Sequence, residues 1–315
     1  MRSLCVCLAL MTSASCPAQE PTPDKQLSSR ALANEFDQVW QRFVKAFQGE
    51  RETEQRLKII KDYSQEANQL LAPYLGKETI RRVLPVMASA KIIDLEPSFL
   101  GAVREQSEPR VKATALLHFV EYLGNNRRTE ECLVTLDHLK KNYGKLKYKR
   151  TTFAAAADEA SYYFKNLAVG CEAPSTTGQD ADGQIFSLSD YEGKVVMLRF
   201  WGDWCPACRA MYPYERELTQ RYRNRKFALI GVNSDPQKRC RSAQEKSRLT
   251  WRSFWDGGAV GGPIAQLYQV EDWPRIIIID ASGVIRMNAK GVDEDYVSNL
   301  LDRLIQEAEQ LEVSE

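Results

Sequence analysis

Two cysteines separated by two residues are the part of this sequence best suited to chemistry. Cys205 and Cys208 lie in the segment WCPAC, which follows an apolar run at 195–198 that ends in Phe200-Trp201. That order predicts a strand, a short loop and a helix that begins near Cys205. Unpaired N–H groups and the dipole at a helix N-terminus stabilise a thiolate, the form of cysteine that attacks disulfides. The spacing therefore predicts a redox dithiol that closes a Cys205–Cys208 disulfide.

Half of a zinc site would show the same spacing, and a structural disulfide is a further alternative. Zinc takes about four protein ligands in a structural site. The sequence has no second CxxC pair, and its two histidines, His118 and His138, lie far upstream in a region with helical patterning. We therefore favour redox chemistry over both alternatives and expect no metal and no cofactor.

Length and charge exclude several classes of protein. A chain of 315 residues has room for two domains with separate cores. With 43 Lys and Arg against 42 Asp and Glu, it lacks the basic excess of a nucleic-acid-binding surface. After the N-terminus, no apolar run approaches the roughly 20 residues of a membrane span.

The first residues have the pattern of an export signal. Met1-Arg2 precedes an apolar stretch at 4–11 and small residues at 12–15, which predicts a signal peptide over 1–18 and a linker over 19–28. We expect export to the periplasm or cell envelope. Cys16 could instead be a lipoprotein cysteine, and only its lipidation would attach the protein to a membrane. A disordered cytosolic leader is the other alternative.

Three further cysteines follow the leader outside the CxxC pair. Cys132 lies in an apolar helical pattern, which predicts a buried, inert thiol. Cys171 and Cys240 could pair with each other or act as resolving thiols.

The periodicity changes near residue 168. Residues 29–167 have helical periodicity and predict an all-α domain of antiparallel hairpins without chemistry of its own, with helices at 78–93 and 149–166 among them. The lysine-rich run at 140–150 predicts a solvated face and hinge. Residues 168–315 alternate strands and helices, which predicts an α/β sheet with helices on both faces. Its expected strands are 184–188, 194–200, 226–233, 275–280 and 284–288, with a hairpin turn at 180–183 before the first of them. Its expected helices are 206–223, 236–248, 262–268 and 293–311, the first of them kinked at Pro213.

Several ordered motifs link the C-terminal region to a known family. They are VGCEAP at 169–174, SLSDYEGKVV at 187–196, FWGDWCPAC at 200–208, Pro213, GVN at 231–233, Trp273-Pro274 and DASG at 280–283. With them, residues 168–311 resemble the thioredoxin fold, and in particular the TlpA/ResA-type envelope thiol-disulfide oxidoreductases of the redoxin (AhpC-TSA) superfamily. The resemblance does not cover the helical region.

The resemblance implies roles for individual residues. Cys205, in an exposed position, is expected to attack a substrate disulfide and Cys208 to resolve the mixed disulfide. Pro274 is the third expected catalytic residue and faces the dithiol through a cis peptide bond. Trp204 and Trp273 are the expected substrate contacts, and Trp201 is expected in the core. The implied partners are protein thiols and disulfides, and the sequence does not indicate the upstream electron donor.

Two positions depart from the family pattern. Met211 stands where many relatives carry an acid three residues after the second cysteine, and Arg199 stands where thioredoxins carry an acid on the strand. Asp203 and Arg199 are the candidate modulators of the site. If Arg199 lies near the dithiol, its charge favours the thiolate, although it could equally pair with an acid elsewhere. Asp203 and Glu215 are candidate bases for Cys208.

Three functions compete. The favoured one is an exported thiol-disulfide oxidoreductase that reduces or exchanges protein disulfides. The second is a peroxiredoxin-like peroxidase, which needs Thr or Ser three residues before its cysteine, where this chain has Gly202. The third is a helical binding or scaffold protein with an accessory redox domain.

Overall fold

The computed structural model describes residues 27–90, 94–291 and 293–313. The predicted signal peptide, Cys16 and most of the predicted linker lie outside these ranges. The chain divides into two compact units between Phe164 and Lys165, where the sequence predicted a change of domain at 167–168. Among the described residues, no helix combines the length and the apolar composition that a bilayer crossing requires.

The first unit is built from helices. They are α1 (Ser29–Gly49), α2 (Thr53–Leu71), α3 (Leu84–Ser89), α4 (Glu96–Glu105), α5 (Pro109–Asn125), α6 (Thr129–Tyr143) and α7 (Phe153–Asn166). Ser28 caps α1 by accepting the Ala31 N–H at 3.2 Å. Residues spaced three or four apart on α1 face the core, so Phe36 and Phe43 are buried as the periodicity predicts. The described residues of this unit are mostly helical, as the periodicity predicted.

Two helix predictions in this unit are wrong in their bounds. The expected helix at 78–93 is a 3₁₀ turn, Glu78–Arg82, followed by the short α3, in which Pro85 occupies the first turn where its missing N–H is tolerated. The expected helix at 149–166 begins only at Phe153. Before it, β1 (Lys147–Tyr148) and β2 (Thr151–Thr152) form a small hairpin, because Lys149 adopts a positive φ of 49° in the turn.

The second unit contains a five-stranded mixed sheet. Its order is β7 (Ser253–Trp255), β6 (Phe227–Asn233), β5 (Val195–Trp201), β8 (Arg275–Ile279) and β9 (Ile285–Lys290). β5 runs parallel to β6 and antiparallel to β8. All seven residues of β5 are buried, which explains why six of them are apolar, Arg199 being the exception.

A separate hairpin and the helices complete this unit. β3 (Thr177–Gln179) and β4 (Ile185–Ser187) enclose the predicted turn at 180–183, in which Gly183 has a φ of 82°. The helices are α8 (Pro206–Ala210), α9 (Tyr212–Arg221), α10 (Gln237–Lys246), α11 (Pro263–Leu267) and α12 (Glu294–Val313). The predicted thioredoxin-like α/β fold is confirmed.

The expected helix at 206–223 is broken rather than kinked. It ends at Ala210, Met211 closes its last turn, and Pro213 is the second residue of α9. Proline has no N–H to continue the helical hydrogen bonds, so a new helix begins around it. The break separates the CxxC segment on α8 from Glu215 on α9.

Candidate active site at the end of the central strand

The CxxC pair lies between the carboxyl end of β5 and the start of α8. Cys205 is the N-cap of α8, and Pro206 fills its first turn. The Cys205 Sγ accepts the backbone N–H of Cys208 at 3.3 Å. The first thiol is thus tied to the helix N-terminus, as the sequence predicted.

Burial distinguishes the two thiols. Cys208 is fully buried, and Cys205 is 5% exposed, although the sequence led us to expect an exposed first thiol. Both side chains are thiols in this structure. Burial, and next the hydrogen bond with Cys205, raise the pKa of Cys208 to about 12, while the Arg199 charge acts in the opposite direction. Cys208 is therefore poorly ionised at neutral pH, as a resolving thiol would be.

The two predicted substrate-contact tryptophans lie side by side. Trp204 is 41% exposed, and its ring centroid lies 6.0 Å from that of Trp273. The Trp273–Pro274 peptide is cis, as the resemblance implied. Arg275, the next residue, pairs with Phe200 on β5, so Pro274 lies at the same end of the sheet as the dithiol. Trp201 is fully buried in the core, as predicted.

A buried polar group that the sequence analysis missed holds the loop before Cys205. The Asp235 carboxylate is fully buried and accepts the backbone N–H of Asp203 at 2.6 Å. Ser234 accepts the indole N–H of Trp204 at 3.1 Å. Both residues follow β6 directly, and the register of β6 with β5 places their strand end beside Trp201. Polar residues at the end of a buried parallel strand were the available signal.

Asp203, one of the two candidate bases for Cys208, is engaged in an ion pair. Its carboxylate pairs with Arg239 at 3.2 Å, and Arg239 also pairs with Asp235 at 3.3 Å. The carboxylate of Asp203, on the loop before the dithiol, and that of Asp235, after β6, therefore share the guanidinium of Arg239.

Gly202 has no room for a side chain. A Cβ at this position would lie 2.2 Å from Nε1 of Trp204 and 3.0 Å from Oγ of Ser234. The indole thus fills the space that the Thr or Ser of a peroxiredoxin would occupy. This packing does not support the peroxidase alternative.

Arg199 and Glu215 form an ion pair with both side chains fully buried. Arg199 also donates from Nη2 to the carbonyl oxygen of Cys208 at 2.7 Å. Its guanidinium stacks near the rings of Trp201 and Tyr212, with centroid distances of 5.6 and 5.5 Å. Both possibilities raised for Arg199 thus hold, because it lies beside the site and is paired with an acid.

Glu215 is a buried acid with a perturbed proton affinity. Burial raises the pKa of its carboxyl to about 7, against the opposing charges of Arg199 and Arg216. Helix α9 therefore places a buried acid beside Arg199, whereas Met211 stands where many relatives carry one.

The remaining three cysteines lie outside the CxxC segment. The Cys171 carbonyl accepts the N–H of Ile285 on the edge strand β9, whereas Cys240 is buried on α10, which leads to the opposite edge strand β7. Four strand spacings of about 4.8 Å separate these edges, which excludes a Cys171–Cys240 disulfide. Burial raises the pKa of Cys240 to about 12. Cys132 is fully buried, as predicted, with its pKa likewise raised to about 12.

Two other features bear on ligands. No group of three or more metal-binding side chains is found among the described residues. A cavity of about 430 Å³ is lined by Lys194, Val196 and Asp280. These residues lie at the start of β5, whereas the dithiol follows its end, about 23 Å away for seven strand residues. The cavity is not part of the CxxC site.

Known proteins match the C-terminal part of this chain. The model of the AhpC/TSA family matches residues 169–288. ResA, a thiol-disulfide oxidoreductase of Bacillus thuringiensis subsp. konkukian, is 30% identical over 128 residues, which are 40% of this chain and 72% of the relative. ResA of Geobacillus kaustophilus is 32% identical over 126 residues, with shares of 40% and 71%. The chain belongs to the ResA family of thiol-disulfide oxidoreductases.

Solved structures related to this ResA-family protein also match about half of the chain. The thioredoxin domain of a thiol-disulfide oxidoreductase from Bacteroides vulgatus is 27% identical, with a TM-score of 0.39, and the match covers 44% of this chain and 99% of that one. A thiol:disulfide interchange protein from a Bacteroides species is 27% identical, with a TM-score of 0.39 and shares of 44% and 91%. The family model covers none of the helical unit. The predicted family and enzyme class are confirmed.

Proposed function

We propose that this protein is an exported oxidoreductase that reduces or exchanges disulfides in other proteins through Cys205 and Cys208. One observation carries the proposal. The two thiols are unequal: Cys205 caps a helix and accepts a backbone N–H, whereas Cys208 is fully buried and its pKa is raised to about 12. Such an asymmetric pair suits attack by the first thiol and resolution by the second.

The reaction proceeds in two exchanges. The Cys205 thiolate attacks one sulfur of a substrate disulfide, a Cys205–substrate bond forms, and the other substrate sulfur leaves with the electron pair. Cys208 then loses its proton and attacks Cys205, which closes the Cys205–Cys208 disulfide and releases the second substrate thiolate. The substrate is thereby reduced by two electrons, and an upstream thiol donor must reduce the enzyme again.

Exposed aromatic surface beside the dithiol supports a protein substrate. The paired rings of Trp204 and Trp273, next to Pro274, form a platform on which a peptide would lie. We assign Trp204 and Trp273 to substrate contact, and Pro274 to the catalytic site with the two cysteines. Asp203 modulates the site through the loop that leads into the CxxC pair, and Arg199 modulates it through its buried ion pair with Glu215.

A trapping experiment tests the catalytic assignment. A Cys208→Ser variant should accumulate mixed disulfides with partner proteins, visible as adducts on non-reducing gels that a reductant removes. The matched Cys205→Ser variant should form none. If both variants trap equally, or neither does, Cys205 is not the attacking thiol.

Export rests on the N-terminal pattern of charge, apolar run and small residues. The mass of the mature chain tests it, since cleavage after Ser15 or Ala18 predicts two specific N-termini. A cytosolic product that retains Met1 would contradict export, and a lipid-modified Cys16 would identify a lipoprotein.

A further inference from the structure

Three ionisable side chains are buried at the resolving cysteine and around it. Cys208, Arg199 and Glu215 are each fully buried. Burying a charge is costly unless an opposite charge accompanies it. One cation at this place therefore stabilises one anion well and a second anion poorly.

Contacts connect Arg199 to the carboxylate of Glu215 and to the backbone of Cys208. Arg199 pairs with the Glu215 carboxylate and also donates to the Cys208 carbonyl oxygen at 2.7 Å. Its charge lowers the pKa of the Cys208 thiol and that of the Glu215 carboxyl. Its Nη1 is buried and has no hydrogen-bond acceptor among the described residues. The guanidinium thus keeps donor capacity that Glu215 and the carbonyl do not use.

From these contacts we infer that Arg199 serves as a single buried counter-ion for two alternative anions, the Glu215 carboxylate and the Cys208 thiolate. Loss of the Cys208 proton is then linked to uptake of a proton by Glu215. The inference rests on the proposed function, because it concerns how the resolving thiol becomes a nucleophile.

The linkage keeps the buried charge constant during resolution. Cys208 gives up a proton, Glu215 gains one, and Arg199 then faces the thiolate. The thiolate electron pair forms the Cys205–Cys208 bond, and the bond from Cys205 to the substrate breaks. The substrate sulfur leaves with the electron pair of the broken bond. With no thiolate left at 208, Glu215 returns its proton to solvent and pairs with Arg199 again.

Few other charged groups among the described residues act on Cys208 and Glu215. The charge of Arg216, the next residue on α9, lowers the pKa of Glu215, while its guanidinium donates to the Ser247 carbonyl oxygen. The hydrogen bond and the charge of Cys205 raise the pKa of Cys208. Burial raises the pKa of the neighbouring Tyr212 well above its usual range. Arg199 is the cation common to both anions.

Titration of Cys208 tests the inference without any substrate. In a Cys205→Ser background, thiolate absorbance is followed against pH, after subtraction of the spectrum of a variant that lacks both thiols. Adding Glu215→Gln should lower the Cys208 pKa by at least one unit, a tenfold change in ionisation, because Arg199 is left with no other anion. Adding Arg199→Met should raise it, and Arg199→Lys should restore the parent behaviour.

A charge change on the same helix serves as control. Glu217 is exposed on α9, so Glu217→Gln should leave the titration of Cys208 within about twofold in ionisation. If Glu215→Gln fails to fold, the double variants Arg199→Lys/Glu215→Gln and Arg199→Met/Glu215→Gln replace it, since they differ only in the cation. The lysine variant should have the lower Cys208 pKa. An unchanged titration in Glu215→Gln, or equal values in the double variants, overturns the inference, even where mixed-disulfide trapping succeeds.

Discussion

The backbone N–H of Asp203 donates to the buried carboxylate of Asp235 at 2.6 Å, although 32 residues separate them in the chain. This bond fixes the loop that leads into the CxxC pair. Both carboxylates also reach Arg239, so the two acids can be compared at one shared partner.

We expect Asp235→Ala to lower the free energy of unfolding by about 2–4 kcal/mol, because it leaves the Asp203 N–H and the Asn233 amide without their acceptor. Asp203→Asn should cost at most about 1 kcal/mol, since its ion pair with Arg239 is partly exposed. Urea denaturation followed by tryptophan fluorescence measures both, as five of the six tryptophans lie after residue 200. Equal losses would show that the buried bond does not hold the loop.

The order of thiol modification should follow burial. At pH 8, a Cys208→Ser variant should be alkylated at Cys205, whereas Cys208 in a Cys205→Ser variant should stay mostly unmodified, since its pKa of about 12 leaves about one thiol in 10⁴ ionised. Peptide mass spectrometry reads out each site. Comparable rates at Cys205 and Cys208 would contradict the asymmetry on which the proposed function depends.

Gly202→Ala should displace the Trp204 indole, because the new Cβ would lie 2.2 Å from Nε1. The hydrogen bond to Ser234 would then be lost, at about 1 kcal/mol, and we expect reduction of a protein disulfide to slow by roughly fivefold. Ser234→Ala, which removes the bond and adds no bulk, is the matched control and should give a similar loss. Full activity in Gly202→Ala would mean that the position of Trp204 does not matter to the reaction.

The buried Arg199–Glu215 pair should add little to the free energy of unfolding compared with two apolar residues, whereas removal of one partner alone should lower that free energy strongly. Arg199→Met leaves Glu215 as an uncompensated buried acid and should cost about 3–5 kcal/mol, less at low pH where the carboxyl is protonated. The double variant Arg199→Met/Glu215→Leu replaces both charges by apolar groups and should recover most of that loss. Additive losses in the double variant would show that the two residues act independently.

Stability should also depend on pH through Glu215. Burial raises the pKa of this carboxyl from 4.5 to about 7, so between these values the folded chain keeps a proton that the unfolded chain releases. The unfolded state then binds fewer protons, and the stability present below pH 4.5 falls as pH rises toward 7, by about 1–3 kcal/mol. Urea melts at pH 5 and 7.5 should show this decline in the parent and not in Glu215→Gln. Parallel profiles would indicate a carboxyl that titrates normally.

Much of the fold was predictable from periodicity and turn residues. The apolar run at 195–198 with Phe200-Trp201 predicted β5, and the turn at 180–183 is present. The edge strand β7 was missed because three residues are too few for a pattern. The hairpin at 147–152 was missed because its lysines suggested a solvated hinge, and backbone geometry at Lys149 decided otherwise.

For the site, local spacing was enough to predict the dithiol, since two cysteines one helical turn apart must lie near each other wherever the segment folds. The helix N-terminus that caps Cys205 follows from the same few residues. Partners distant in sequence could not be predicted. Asp235 reaches Asp203 because β6 lies beside β5, and Glu215 reaches Arg199 because the chain breaks at Met211 and starts a new helix. Contacts of this kind depend on strand order and on the direction of a helix, which only the packed tertiary structure determines.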